Sequence, residues 1–283
     1  MLNFFRRREK DPRKELRKLL GEYELPSFPA VVMNVLNALR DPEFSMKEVA
    51  GQLQMDPGLH VKVLKTVNSA AFGLSSRVNN LHHAVTLLGR SRLETIVLSQ
   101  AIGKSLPTVN MPFFDMNKFW FSSAKRASMA RILAHHFHPA TQVESFTIGL
   151  LQDMGLPVLV KAKQNDYRNI FERWSAEKEI LLQVFERETL GYDHITIGGL
   201  MAEEWRLPEN LVKAISTQAD QDEMEHLEPA AKLILNLRGR DDSDDLDILV
   251  NKCMEEHGMN QDMILKMLNN ALEDAEELSN ILK

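Results

Sequence analysis

A single cysteine, Cys253, stands in the 283 residues, so no internal disulfide can form and the composition fits a reducing compartment. Glycine (13) and proline (11) are sparse, helix formers dominate, and no sustained run alternates with period two. These scarcities argue against a sheet-based architecture, and an all-α chain follows. No apolar run approaches the ~18 residues of a membrane-spanning helix, and the start carries no secretory apolar core. The expectation is a soluble, cytoplasmic protein without a membrane span. Charge of one sign is also lacking: 40 acidic against 34 basic residues give a net charge of −6, with no global sign of nucleic-acid binding. A phosphate-cradling G-x-x-x-x-G-K-[ST] loop and a G-x-S-x-G elbow are absent, and no internal repeat is evident. Cys253 lies among charged residues without a persuasive base partner.

What is present centres on residues 56–100. Asp56 followed by Pro57 starts a helix, because the carboxylate accepts free N–H groups and proline suits the first helical position. Leu59, Val63 and Val67 make one apolar stripe, and Asn68, Ser69 and Gly73 suit its end. Ala84, Val85, Leu87 and Leu88 form a second helix that stops at Gly89. Ser91 and Glu94 have capping-box spacing and open a third.

Together with Asn68-Ser69-Ala70 and Phe72-Gly73, these residues resemble the signature of the HDOD family, the HD-related output domains of bacterial signalling proteins. Leu25-Pro26-Ser27-Phe28-Pro29 resembles the family's entry. Leu150 to Gly155 and Trp205-Arg206-Leu207-Pro208 fall where its second lobe places such motifs, so the resemblance covers roughly Leu25 to Gln218. It implies a multi-helical HD-domain/phosphodiesterase-like bundle in two lobes. The expected division is a basic lead-in (1–21), an N-terminal lobe (22–107), an HD-like lobe (113–220) and a C-terminal helical extension (221–283).

The lead-in carries Arg6, Arg7, Arg8, Lys10, Arg13, Lys14, Arg17 and Lys18 after Phe4 and Phe5. It reads as a solvated, partly helical segment, with a membrane-surface or partner contact as the other reading. Ser45 with Glu48 is a capping box. The helices Ser45–Gln54 and Pro57–Asn68 also resemble a helix-turn-helix. The second offers only His60, Lys62 and Lys65 and no arginine, so DNA binding is not expected. Leu106 to Pro112 reads as a linker, after which Asn117 can cap a helix carrying Ala124, Ala127, Ala130 and Ala134 near one face. Asn260 caps a last helix with an apolar stripe of Met263, Ile264, Met267, Leu268, Ala271, Leu272 and Leu278, expected to pack within the chain.

The HD phosphohydrolases that the family resembles hold divalent ions with a histidine, an adjacent His-Asp pair and a later aspartate, because imidazole and carboxylate ligate metals that activate water. Carried onto this chain, those positions fall at Ser122, at Gln152-Asp153 and, loosely, near Asn236. Only Asp153 keeps its chemistry. His194 sits where family members often keep a histidine, and Gln218-Ala219 replaces a frequent double histidine. Ser122, Gln152, Asp153 and His194 are thus a vestigial site and a candidate ligand pocket. Asp56, Pro57, Asn68, Ser69, Gly73, Gly89, Trp205 and Pro208 are structural signature positions. His135, His136 and His138, at a helix end before Pro139, read as dipole-favoured surface residues, and His82-His83 is weaker still as a site.

The resemblance implies a non-enzymatic signalling module acting through protein–protein contact with signalling proteins that the sequence does not identify; a monomer is favoured, and no cofactor or metal is expected. Two alternatives stay open. One is a metal-dependent phosphohydrolase acting on a nucleotide or cyclic dinucleotide, and the other is a small-molecule sensor using the vestigial pocket.

Overall fold

Helix starts and stops follow from local chemistry almost throughout the computed structural model, which describes residues 11–25, 28–68, 77–177, 180–218, 227–235, 237 and 243–282. Helix α1 (Pro12–Leu20) opens where Asp11 accepts the Arg13 and Lys14 N–H groups. Four helices follow: α2 (Ala30–Arg40), α3 (Met46–Leu53), α4 (Pro57–Val67) and α5 (Leu81–Ser105). Ser45 and Glu48 form the expected capping box on α3. Asp56 caps α4 through the Gly58 and Leu59 N–H groups, with Pro57 in the first turn. Asn80 caps α5 through the His83 N–H.

Gly89 interrupts α5 with φ 70° and ψ 171°, a conformation open to glycine and strained for other residues. The sequence reading of two helices meeting at Gly89 therefore holds, with a kink between them. Asn68 closes α4 and ties it to the chain ten residues on. Its Nδ2 donates to Leu64 O (2.7 Å) and Val78 O (2.8 Å), and its Oδ1 accepts from Val78 N (2.7 Å). Ser69, Gly73 and the side chain of Ser91 lie outside the described residues.

The expected linker contains a short antiparallel hairpin, β1 (Asn110–Met111) and β2 (Phe114–Asp115). It hands the chain to α6 (Met116–Phe137). The cap is Asp115, not Asn117: Asp115 leaves β2 with extended backbone, and its Oδ1 accepts the Asn117 and Lys118 N–H groups. Ala124, Ala127, Ala130 and Ala134 are all fully buried on α6. That row of small residues lets α7 (Gln142–Leu151) and the last helix (Gln261–Leu282) pack closely against it.

Next come α8 (Gly155–Ala162), α9 (Gln164–Ala176), α10 (Leu182–Leu190), α11 (His194–Glu204) and α12 (Glu209–Thr217). They are followed by α13 (Pro229–Leu235), α14 (Ser243–His257) and α15 (Gln261–Leu282). The stretch Pro139–Ala162 is long and apolar enough by composition to cross a bilayer, contrary to the sequence expectation. Its most apolar part is 78% buried inside the protein, and residues 152–154 break it into α7 and α8, so its apolarity serves the core.

One cluster of buried apolar side chains runs from Leu16 to Leu278, and a second joins α6 to α13, α14 and α15. Helix α1 is part of the first, against the expectation of a solvated lead-in. Leu16 and Leu20, four residues apart, face α11, and Leu19 O accepts a 2.5 Å hydrogen bond from the Tyr192 hydroxyl. The basic residues at 1–10 lie outside the described residues. Asn260 caps α15 as expected, and Ile264, Leu268, Ala271, Ala275 and Leu278 are buried within the chain, whereas Met263 is exposed.

Candidate functional site

The residues carried over from the HD pattern come together from three places in the fold. Ser122 and Arg126 lie one turn apart on α6, Gln152 and Asp153 occupy the turn between α7 and α8, and His194 opens α11. A close helix approach sets this arrangement. A Cβ on Gly155 would lie 2.1 Å from His194 O and 2.7 Å from Gly198 N, so only glycine allows α8 this near to α11. That approach brings Asp153, two residues before Gly155, beside His194.

The result is a ladder of alternating charge. Ser122 Oγ is 3.3 Å from Arg126 Nη1, and Arg126 Nη2 is 2.7 Å from Asp153 Oδ2. Asp153 Oδ1 stands 3.6 Å from His194 Nε2, and His194 Nδ1 is 2.6 Å from Glu186 Oε2. Glu186, fully buried on α10, also accepts the His194 backbone N–H at 3.0 Å and a very short hydrogen bond from the Tyr167 hydroxyl. Burial works to strip the proton from His194, but the Glu186 charge and the hydrogen bonds that the ring donates to both carboxylates outweigh it, raising the pKa to about 10. His194 is therefore an imidazolium. Tyr167 is pushed well above its ordinary range by burial and by the Glu186 charge.

Asp193 supports the ladder from beneath. Its Oδ1 caps α11 through the Thr196 N–H (2.8 Å) and hydroxyl (2.7 Å), and its Oδ2 pairs with Arg187 at 2.5 Å. Burial opposes its ionisation, yet the Thr196 hydrogen bonds and the His194 and Arg187 charges hold its pKa below the ordinary value.

Gln152 stands apart from this ladder. It is fully buried, its Nε2 donates to Leu237 O (3.0 Å), and its backbone O accepts from Gln218 Nε2 (2.7 Å). The two glutamines thus stitch the end of α7 to the segments around 218 and 237. Their Oε1 atoms are buried without a hydrogen-bond partner. Asn236, the loose third aspartate position, lies outside the described residues.

This donor set does not fit a divalent ion. Both oxygens of Asp153 face the Arg126 and His194 side chains, His194 Nδ1 is taken by Glu186, and serine and glutamine are weak neutral ligands. Among the described residues, no group of three His, Cys, Asp or Glu side chains could hold a metal. His135, His136 and His138 are exposed at the end of α6, as are His82 and His83 on α5. Cys253 is buried, and burial followed by the Glu256 charge raises its thiol to about 11, so it stays protonated and unreactive.

Beside the ladder lies a cavity of about 700 Å³ between β2, α6, α8 and α9. Ser122, Arg126 and Asp153 line it, while Gln152 and His194 do not, so the candidate pocket read from the sequence contains two of its four residues. Trp205, a signature residue, is buried against Phe28 with ring centroids 5.1 Å apart, and Pro208 precedes α12.

The order of these elements, with the Asp56-Pro57 cap, the Asn68 clamp and the Gly89 break, matches a known pattern. A family model for the HDOD domain fits residues 25–221. The chain belongs to the HDOD family. Solved structures agree on the fold. One, provisionally named a phosphohydrolase, from Shewanella amazonensis, superposes with a TM-score of 0.75 at 23% identity, covering 97% of this chain and 99% of that one. An HDOD domain protein of unknown function from Geobacter sulfurreducens gives 0.72 at 20% identity over 95% and 96%. A protein provisionally named for signal transduction, from Marinobacter aquaeolei, gives 0.73 at 17% over 96% and 66%. At such identities the likeness establishes the HD-related fold and nothing finer. A curated relative, an uncharacterized protein of Treponema pallidum, is 25% identical over 193 residues, which are 68% of this chain and 37% of that one. The chain thus spans little more than a third of that relative.

Proposed function

We propose that this HDOD chain is a non-enzymatic signalling module that works in the cytoplasm, as a monomer, by contact with another signalling protein. The observation that carries this reading is the Arg126–Asp153–His194–Glu186 ladder. In an HD hydrolase the position of Asp153 delivers free electron pairs to metal ions. Here two cations and two carboxylates satisfy one another, so the residues hold α6, α10, α11 and the turn between α7 and α8 in register instead of activating water. The lobe boundaries at 22–107 and 113–220 belong to the same proposal, with the family signature in the first and the ladder in the second.

The test has two arms. Purified protein, incubated with manganese or magnesium and a cyclic dinucleotide or nucleoside monophosphate, is expected to give no turnover above buffer. The same chain, tagged and expressed in its own organism, is expected to retain a partner protein that a scrambled control does not. Metal-dependent hydrolysis abolished by Asp153→Ala would overturn the proposal in favour of a rearranged phosphohydrolase.

A further inference from the structure

Helix α1 turns opposite chemistries to the protein and to the solvent. Leu16 and Leu20 are buried against α11, while Arg13, Lys14, Arg17 and Lys18 are all exposed. At about 100° per residue these four side chains leave the helix within an arc of about 140°, away from the two leucines. Two of them have partners: Arg13 Nε is 3.5 Å from Glu204 Oε1, and Lys18 Nζ is 3.6 Å from Glu15 Oε1. Both pairs are superficial, since Arg13 and Lys18 keep 67% and 74% of their side-chain surfaces exposed. Such pairs contribute little and leave the cations open to a competing anion. Asp11 is engaged as the helix cap, and Gly21 (φ 72°) turns the chain out of the helix before Glu22 and Glu24.

The charge is concentrated as well as exposed. Eight of the 34 basic residues and three of the 40 acidic ones fall in residues 1–18, which gives that stretch +5 and the rest of the chain −11. Arg6, Arg7, Arg8 and Lys10 precede the helix, and Met1, Leu2, Phe4 and Phe5 precede them. From this distribution we propose that α1 and the residues before it bind an anionic lipid surface, the cations at the headgroups and the two phenylalanines at the acyl boundary. The apolar face of α1 is covered by α11, so the helix itself contributes charge alone, and the apolar contribution falls to the residues ahead of it. Aliphatic and aromatic side chains both gain from the acyl boundary, whereas only rings stack on bases. Met1 and Leu2 beside the phenylalanines therefore favour a bilayer over a nucleic acid. Each cation near an anionic bilayer is worth on the order of fivefold in affinity, and the gain fades as salt screens it. This surface goes beyond the partner-binding reading and holds whichever way the partner experiment falls.

Co-sedimentation of the full chain with lipid vesicles tests the proposal. Vesicles of equal parts phosphatidylglycerol and phosphatidylcholine are expected to retain the protein at low salt, and vesicles of phosphatidylcholine alone are not. Lys14→Gln combined with Arg17→Gln should weaken that retention by on the order of twentyfold. The same variant should keep the wild-type melting temperature, because both side chains are exposed. Phe4→Ser combined with Phe5→Ser should weaken retention most at high salt, where the apolar contact is what remains. The proposal is overturned by equal retention on the two kinds of vesicle, by retention on neither, or by either double variant binding as tightly as the wild type. Tighter binding to a DNA duplex or to single-stranded RNA than to the anionic vesicles would also overturn it, since the basic face would then serve a nucleic acid.

Discussion

Replacing Glu186 by glutamine is the sharpest probe of the ladder, because it keeps the shape and removes one buried charge. Glu186 is fully buried and serves three donors: Tyr167 Oη, His194 N and His194 Nδ1. Removing one partner of a buried ion pair typically costs about 3–5 kcal/mol, since the other charge stays behind without compensation. The pH dependence should change as well. The native pKa of His194 is about 10 against an ordinary value of 6.5, so the folded state holds a proton that the unfolded state has lost across that interval. This contribution is fully present below the unfolded pKa and is lost as pH rises toward the folded one. Between about pH 6 and about pH 8.5 the wild type should therefore lose roughly 2–3 kcal/mol. Cys253 adds only a few tenths of a kcal/mol of the same sign, roughly, because its unfolded thiol begins to ionise near pH 8.5 while the folded one stays protonated. Urea denaturation at the two pH values measures both effects. In Glu186→Gln the midpoint should fall at low pH, and the loss between the two pH values should shrink, because His194 keeps only Asp153. A variant with the wild-type midpoint and the wild-type pH slope would refute the claim that Glu186 holds His194 charged.

Three further outcomes are expected. Asn68→Leu should cost about 1–3 kcal/mol by leaving the Val78 N–H and C=O without their partner; an unchanged urea midpoint would deny the clamp. Gly155→Ala should destabilise by about 1–3 kcal/mol or more, since its methyl would collide with His194 O. Wild-type melting in that variant would show that α8 and α11 are not held at contact distance. Truncation before Asn260 removes Ile264, Leu268 and Leu278 from the core, about 6 kcal/mol of burial before chain entropy. It should lower the melting temperature and solubility without changing the oligomeric mass seen by light scattering.

Much of the fold was legible because helix ends obey short-range rules. The Asp56-Pro57 start, the Ser45–Glu48 box, the Gly89 break and the Asn260 cap each depend on residues within four positions. Errors arose where two candidates stood close together, as with Asp115 and Asn117, or where charge concealed a two-leucine stripe, as in α1. The edge of the α15 stripe was misplaced at Met263 because spacing defines a face but not its width. In the site, Asp153 and His194 were found through family resemblance. Glu186 and Arg126 were not, although Glu186 raises the pKa of His194 and Arg126 pairs with Asp153. Glu186 lies on a different helix from His194, and Arg126 reaches Asp153 only through the packing of α6 on α7. Neither spacing has a period that a single sequence displays. Asp193 did carry a readable signal, standing as a capping aspartate directly before the histidine.

The pairing of α1 with α11 has a consequence during synthesis. The hydrogen bond from Tyr192 to Leu19 joins residues 173 positions apart. A nascent α1 emerges from the ribosome with Leu16 and Leu20 exposed and no surface to receive them. At about 5–20 residues per second, α11 follows on the order of 10–35 seconds later. For that interval the amphipathic helix is free to meet chaperones or other nascent chains, which makes ribosome pausing between α1 and α11 a determinant of folding yield.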